Sequence, residues 1–243
     1  MADIMLDVRF KVRDLKWYEI IMAVIMIGIA GWVMINAVFI DPDSSSNPGW
    51  LTVVNFISAL AGVACVFLCA RASISNFIFA VVNTVSYMIY LFYWNIYGTF
   101  ALELFVYLPM NFISWGIWRK HRDREFTDLT KSKRLSPYGI IFVTAAVVLS
   151  GLVYNQILSM YDDPVALLDA YTVAIGLVAI AMQCLRYREQ YILWLITDFV
   201  AVAMFVVHFD PVYLTKKTIY LIVAIIGLYN WWKLNRERNK ENE

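Results

Sequence analysis

The stretch WLITDFVAVAMFVVH, from Trp194 to His208, carries one carboxylate, Asp198, four residues after a tryptophan and followed by an apolar run. In a helix that spans a bilayer, this carboxylate lies close to the midplane, where an ionised Asp costs about 2.5–3.5 kcal/mol on insertion scales. Such a residue points to function, with an interhelical hydrogen bond to Ser or Asn as the plainer alternative. Other polar and aromatic residues recur at helical spacing, where positions three, four, seven and eleven apart share a face. Asn83, Tyr87, Tyr90 and Trp94 form one stripe, and Glu103, Tyr107, Asn111, Ser114 and Trp118 another, with Trp115 on the same helix. Further stripes are Asp169, Thr172, Gly176 and Gln183, then Gln190, Trp194 and Asp198, and finally Lys217 with Asn230, Trp231 and Trp232. Aromatic faces offer stacking and cation–π attraction, amides offer hydrogen bonds, and a carboxylate offers charge compensation.

These are groups for recognition. HExxH, GxSxG and a phosphate-binding glycine loop are all missing from the sequence, so an enzyme carries little weight. No metal or cofactor is expected: His121 and His208 lack partner spacing, and Cys65, Cys69 and Cys184 lie inside apolar runs as small core residues.

The elements that must position these stripes follow from composition. The 243 residues are 61% hydrophobic and only 16% charged, with a mean hydropathy of +0.64. A soluble domain would carry charge on roughly a quarter of its residues. Eight apolar runs are long enough to span hydrocarbon: Tyr18–Ile40, Trp50–Ala70, Ser75–Trp94, Thr99–Trp118, Tyr138–Leu158, Val165–Leu185, Gln190–Phe209 and Val212–Trp232. The fold class is therefore an all-α polytopic membrane protein. Lys and Arg fix its orientation. With both termini inside, every one of the 20 cations except Lys216 and Lys217 falls on the cytoplasmic side. The first residues, MADIMLDVRFKVRDLKW, read as a retained amphipathic segment and not as a removable signal.

Spans two to four and six to eight repeat one another. NFISALAGVACVFLCAR answers DAYTVAIGLVAIAMQCLR, which aligns Gly62 with Gly176 and, after one inserted residue, Arg71 with Arg186. FVYLPMNFISWGIWRKH answers YLIVAIIGLYNWWKLNRE, with Trp118 opposite Trp232. An odd number of spans per repeat needs a linker span to restore orientation, which gives two parallel three-helix repeats in a 3+1+3 scheme plus one extra N-terminal helix. The divisions are residues 1–49 (amphipathic segment and peripheral helix), 50–120 (first repeat), 121–160 (cytoplasmic loop and linker helix) and 161–243 (second repeat and basic tail). Parallel repeats about an axis along the membrane normal are a standard transporter plan, with substrate held between them near the midplane.

This plan, with the third span NTVSYMIYLFYWNIYG, the fourth span ELFVYLPMNFISWGIW and the stretch QCLRYREQYILWLITD, resembles the PnuC family of nicotinamide riboside transporters, bacterial relatives of the SWEET architecture. The resemblance covers roughly Trp50 to Trp232. It implies a multi-pass protein of the bacterial inner membrane that imports nicotinamide riboside by alternating access, as facilitated diffusion trapped by a cytoplasmic riboside kinase. It also implies a homo-oligomer, a trimer among the options, with membrane lipid as its surroundings and no nucleic-acid partner.

Nicotinamide riboside is a flat cationic ring on a neutral sugar. Asn83, Tyr87, Tyr90, Asn111, Gln183, Trp194 and Asp198 supply stacking, hydrogen bonds and charge for it, and Trp94, Trp115 and Asn230 join them as binding candidates. For Trp94 and Trp115, close to span ends, an aromatic belt is the commoner role. Glu103 and Lys217 occupy equivalent places in the two repeats. They pair as an outer gate, with Tyr107 alongside, or snorkel to water. Pro109 is a hinge candidate, with Val223 at the corresponding place and a static kink as the commoner outcome. A phosphate would want Arg or Lys, and no arginine lies within the body of a core span, so the mononucleotide is expected to be rejected. The alternatives are a proton-coupled nucleoside-like transporter with Asp198 titrating, or a sugar transporter of the same architecture. A retinal protein is disfavoured, because Lys217 stands at the mouth of its helix.

Overall fold

The computed structural model describes residues 17–41, 47–121, 132–159, 166–207 and 211–241. The expected N-terminal amphipathic segment and the basic run 122–131 lie outside the described residues. In hydrocarbon each backbone polar group must find a partner within its own segment, so the apolar runs fold as helices. Their order is α1 (Trp17–Ile35), α2 (Gly49–Ala70), α3 (Asn76–Tyr93), α4 (Tyr97–Leu102), α5 (Leu108–Lys120), α6 (Pro137–Ser159), α7 (Ala166–Cys184), α8 (Gln190–Val207) and α9 (Pro211–Glu241). α6 and α9 both open on proline, whose missing N–H is no loss in the first turn. Among the described residues, five stretches are long and apolar enough to cross a membrane: Trp17–Ile40, Gly49–Ala70, Asn76–Tyr93, Thr99–Lys120 and Pro137–Gln156. Ala170–Cys184 and Gln190–Ala203 are shorter apolar helices.

The fourth span is not one uniform rod. A π-helical turn, Glu103–Tyr107, joins α4 to α5, and Pro109 stands two residues beyond it. A proline ring clashes with the carbonyl four residues earlier, and the wider turn carries that carbonyl away from it. The backbone irregularity thus falls where Glu103 and Tyr107 must be aimed.

The repeats can be compared bond by bond at their first inter-helix loops. Ala72 N–H reaches Cys69 O at 2.9 Å and Ser73 N–H reaches Leu68 O at 2.9 Å; Arg186 N–H reaches Gln183 O at 3.0 Å and Tyr187 N–H reaches Met182 O at 2.9 Å. Both are helix ends closed by a left-handed residue, Ala72 at φ 58° and Arg186 at φ 67°. Ala72 is therefore the partner of Arg186, and Arg71 that of Leu185. The inserted residue expected from the sequence does not exist.

Further along the chain the register does slip by one. Trp118 Nε1 donates to Gln183 O at 2.9 Å and Trp231 Nε1 to Cys69 O at 3.0 Å, so each indole caps the equivalent carbonyl of the other repeat. Phe77 meets Trp118 edge-on with ring centroids 4.9 Å apart, as Tyr191 meets Trp231 at 5.7 Å. The partner of Trp118 is Trp231, not Trp232, which is partly exposed. The same slip pairs Glu103 with Lys216 in place of Lys217, and Pro109 with Ile222 in place of Val223.

The core has two centres. Around the crossed tryptophans pack Cys69, Ala72, Ile74, Phe77, Tyr191 and Ala224. The other centre joins α1 to both repeats: Met22, Met26 and Ala30 pack against Ala59, Val63, Phe67 and Ala70 of α2 and Ile219 and Val223 of α9. The opposite face of α1, with Ile20, Val24 and Ile27, is exposed. Glu19, buried near the start of α1, pairs with Arg71 in the loop after α2.

Candidate functional site

A cavity of about 330 Å³ lies among α2, α3, the π turn, α5, α7, α8 and α9. Its size falls in the range that small-molecule sites occupy, ~300–1,000 Å³. Its wall is built where stripes from both repeats converge. Asn83 and Tyr87 come from α3, Glu103 and Tyr107 from the π turn, and Asn111 from α5; Gln183 comes from α7, Trp194 and Asp198 from α8, and Lys216, Lys217 and Tyr220 from α9. Polar faces turn inward because none of them can meet lipid without cost.

Asp198 is buried, and Lys217 Nζ lies 3.1 Å from its Oδ1. Lys217 therefore neither snorkels outward nor pairs with Glu103. An ion pair in low dielectric neutralises a carboxylate that would otherwise be strongly disfavoured there. The charge compensation expected of Asp198 toward a ligand is thus already supplied by the protein. Glu103 takes part in none of the ion pairs found among the described residues.

Asn83 Oδ1 accepts from Ser58 Oγ at 3.1 Å and from Lys216 Nζ at 3.4 Å. Asn111 Nδ2 donates to Thr84 Oγ1 at 3.4 Å, which ties α5 to α3 at the cavity wall. Both lysine ammoniums lie over the Tyr220 ring, at 5.7 Å for Lys216 and 5.4 Å for Lys217. Gly62 makes this possible. A Cβ there would stand 2.1 Å from the Tyr220 hydroxyl and 2.9 Å from Asn83 Oδ1. Its counterpart Gly176 faces the Tyr107 hydroxyl, which a Cβ would meet at 3.0 Å. Each repeat thus lends a tyrosine to a glycine of the other.

Four expected binding residues do not line the cavity. Tyr90 stacks on Tyr87, with centroids 6.2 Å apart, one layer away from the wall. Trp94, at the end of α3, donates from Nε1 to Asn47 Oδ1 at 2.9 Å. Trp115 packs beside the crossed tryptophans and under Arg119, 5.5 Å from its ring. Asn230 Nδ2 donates to Ala70 O at 3.3 Å, which fastens α9 to α2. Pro109 is near the site through the π turn but is not part of the wall.

Sequence reasoning missed Lys216, Tyr220, Tyr191 and Cys65 on the cavity wall. Lys216 was readable: it stands among residues at helical spacing, with Tyr220 four positions on. Tyr191 donates from its hydroxyl to Cys69 O at 2.8 Å, a long-range bond with no local signal.

The model of the family described as "Nicotinamide mononucleotide transporter" matches residues 52–233. A protein of Neisseria mucosa named nicotinamide riboside transporter PnuC is 29% identical, with 92% of this chain and 88% of that protein covered. The protein of the same name from Haemophilus influenzae is 27% identical, with coverage of 92% and 93%. A solved structure titled "Crystal structure of the Vitamin B3 transporter PnuC" is 28% identical and superposes with a TM-score of 0.73 over 92% of this chain and 94% of that one. Cavity, bundle and a family match spanning both repeats agree, and the chain belongs to the PnuC family of membrane transporters.

Proposed function

We propose that this protein carries nicotinamide riboside across a bacterial inner membrane, by alternating access and as facilitated diffusion. Intracellular phosphorylation then traps the product, and both termini face the cytoplasm. One observation carries the reading: Tyr87, Tyr107, Trp194 and Tyr220 enclose, with Asn83, Asn111 and Gln183, a cavity of about 330 Å³ inside the bundle. Aromatic faces suit a pyridinium ring, each worth about 0.5–2 kcal/mol by cation–π attraction, and the amides suit a carboxamide and ribose hydroxyls. Because Lys217 holds Asp198, Glu103 is the carboxylate left to face the cationic ring.

A second reading, carriage of the mononucleotide, gains support from Lys216 and Lys217 on the wall, since an ammonium is a phosphate partner. The expected rejection of the mononucleotide rested on the absence of arginine from the body of the core spans, and the two lysines on the wall weaken it. A thermal-shift panel of purified protein with the riboside, its mononucleotide, nicotinamide and free sugars separates the readings. The riboside alone should raise Tm, with the rise lost in Trp194→Ala and reduced in Asp198→Asn. An equal rise with the mononucleotide, abolished by Lys216→Met, would establish the second reading instead.

A further inference from the structure

The crossed tryptophans adjoin the cavity through residues that line it, and the details of that contact go beyond packing. The two indoles are fully buried and touch, with centroids 5.4 Å apart. Each belongs to one repeat and donates its only N–H to a carbonyl of the other, Trp118 to Gln183 and Trp231 to Cys69. Both acceptor residues line the cavity, as do Tyr191 and Ala224, which pack on the same indole cluster. The repeats cannot separate at this end without breaking both bonds.

A second observation concerns polar groups around this cluster. Gln190 is fully buried, and neither Nε2 nor Oε1 has a hydrogen-bond partner among the described residues. Its counterpart in the first repeat, Asn76, is equally buried and leaves Oδ1 unmatched, and Ser114, one turn before Trp118, leaves Oγ unmatched. Gln190 and Asn76 immediately precede Tyr191 and Phe77, the rings that abut the two indoles. Buried polar groups without a protein partner are disfavoured where they stand, and water would satisfy them.

We propose that the Trp118–Trp231 pair is the gate between the cavity and the membrane face bearing the Arg71 and Arg186 loops, and that Gln190, Asn76 and Ser114 line the wet passage when it parts. Closure then relies on two crossed hydrogen bonds, and opening is favoured by hydration of the three polar groups. The inference rests on the transport reading only in that a gate needs a path.

The test needs no substrate. With Cys65 and Cys184 replaced by Ser, Cys69 on the cavity wall is the single thiol. In liposomes, a membrane-impermeant maleimide applied to the Arg71 face should label Cys69 about fivefold faster in Trp118→Phe and in Trp231→Phe, which keep a ring and lose a donor. The double variant should exceed both. Gln190→Leu should act in the opposite direction, slowing labelling by about the same factor while leaving Tm unchanged or raised. A residue that only packs would lower Tm and speed labelling in all variants. Unchanged labelling in the Phe variants, equal acceleration from both faces, or faster labelling in Gln190→Leu would overturn the proposal. If the Phe variants fail to fold, the sign of the Gln190→Leu effect decides by itself. Failure of the riboside to shift Tm would leave this result intact, so the two readings fail separately.

Discussion

Lys217 meets Asp198 at 3.1 Å, and Lys216 meets Asn83 at 3.4 Å, so two adjacent lysines serve two different repeats. Removing one partner of a buried pair leaves the other charge uncompensated, at about 3–5 kcal/mol. Lys217→Met should therefore lower thermal stability in detergent sharply, and Lys217→Met with Asp198→Leu should recover most of it. Equal Tm values for the single and double variants would show that the pair does no structural work. Gly62 gives a second residue-scale expectation. Gly62→Ala drives a methyl into the Tyr220 hydroxyl and should cost about 1–3 kcal/mol through overpacking. Adding Tyr220→Phe, which deletes the obstructing oxygen, should restore part of it, while Gly28→Ala, with nothing within 4 Å, should be neutral.

At the scale of elements, α1 is fastened to the first repeat by the buried Glu19–Arg71 pair and packs on both α2 and α9. The two ends of the pair are unequal. The Glu19 side chain is 5% exposed and that of Arg71 22%. Arg71→Met strands a buried carboxylate and should destabilise more than Glu19→Gln, which leaves an arginine able to reach water. Backbone hydrogen exchange at Met22, Met26 and Ala30 should rise in the same order. Element positions were legible in the sequence because apolar runs of about twenty residues leave a helix no competitor. The inward stripes were legible too, since Asn83, Tyr87, Asn111, Gln183, Trp194 and Asp198 all reach the cavity. Other features were not. Ala72 and Arg186 end their helices in the left-handed region without the glycine that would announce it, so the loop alignment drifted by one. The direction of Lys217 depends on which neighbour α9 turns toward, a matter of packing that no local pattern records. Tyr90, Trp94, Trp115 and Asn230 have the right chemistry but sit a layer or a helix end away from the wall. The π turn before Pro109 left no mark beyond the proline itself.

At the scale of the molecule, a cavity between two cross-braced repeats is what alternating access requires, and it leaves the energy source open. Asp198 is held by Lys217, so the facilitated diffusion proposed above draws no proton from it. Uptake of labelled riboside into proteoliposomes should be the same with and without a pH gradient of either sign, within about twofold, since a single coupled proton changes the accumulation ratio tenfold per pH unit. Accumulation against the riboside gradient, driven by acid outside, would instead make the protein a symporter. The register slip ahead of α9 has a wider consequence. It sets Glu103 and Lys216, unlike charges, at matching positions of the two aligned stretches, both on the cavity wall. Two identical halves would face acid with acid, or base with base, at that position. Joining the halves in one polypeptide frees each to diverge, so a chamber can balance its own electrostatics and still recognise an asymmetric guest.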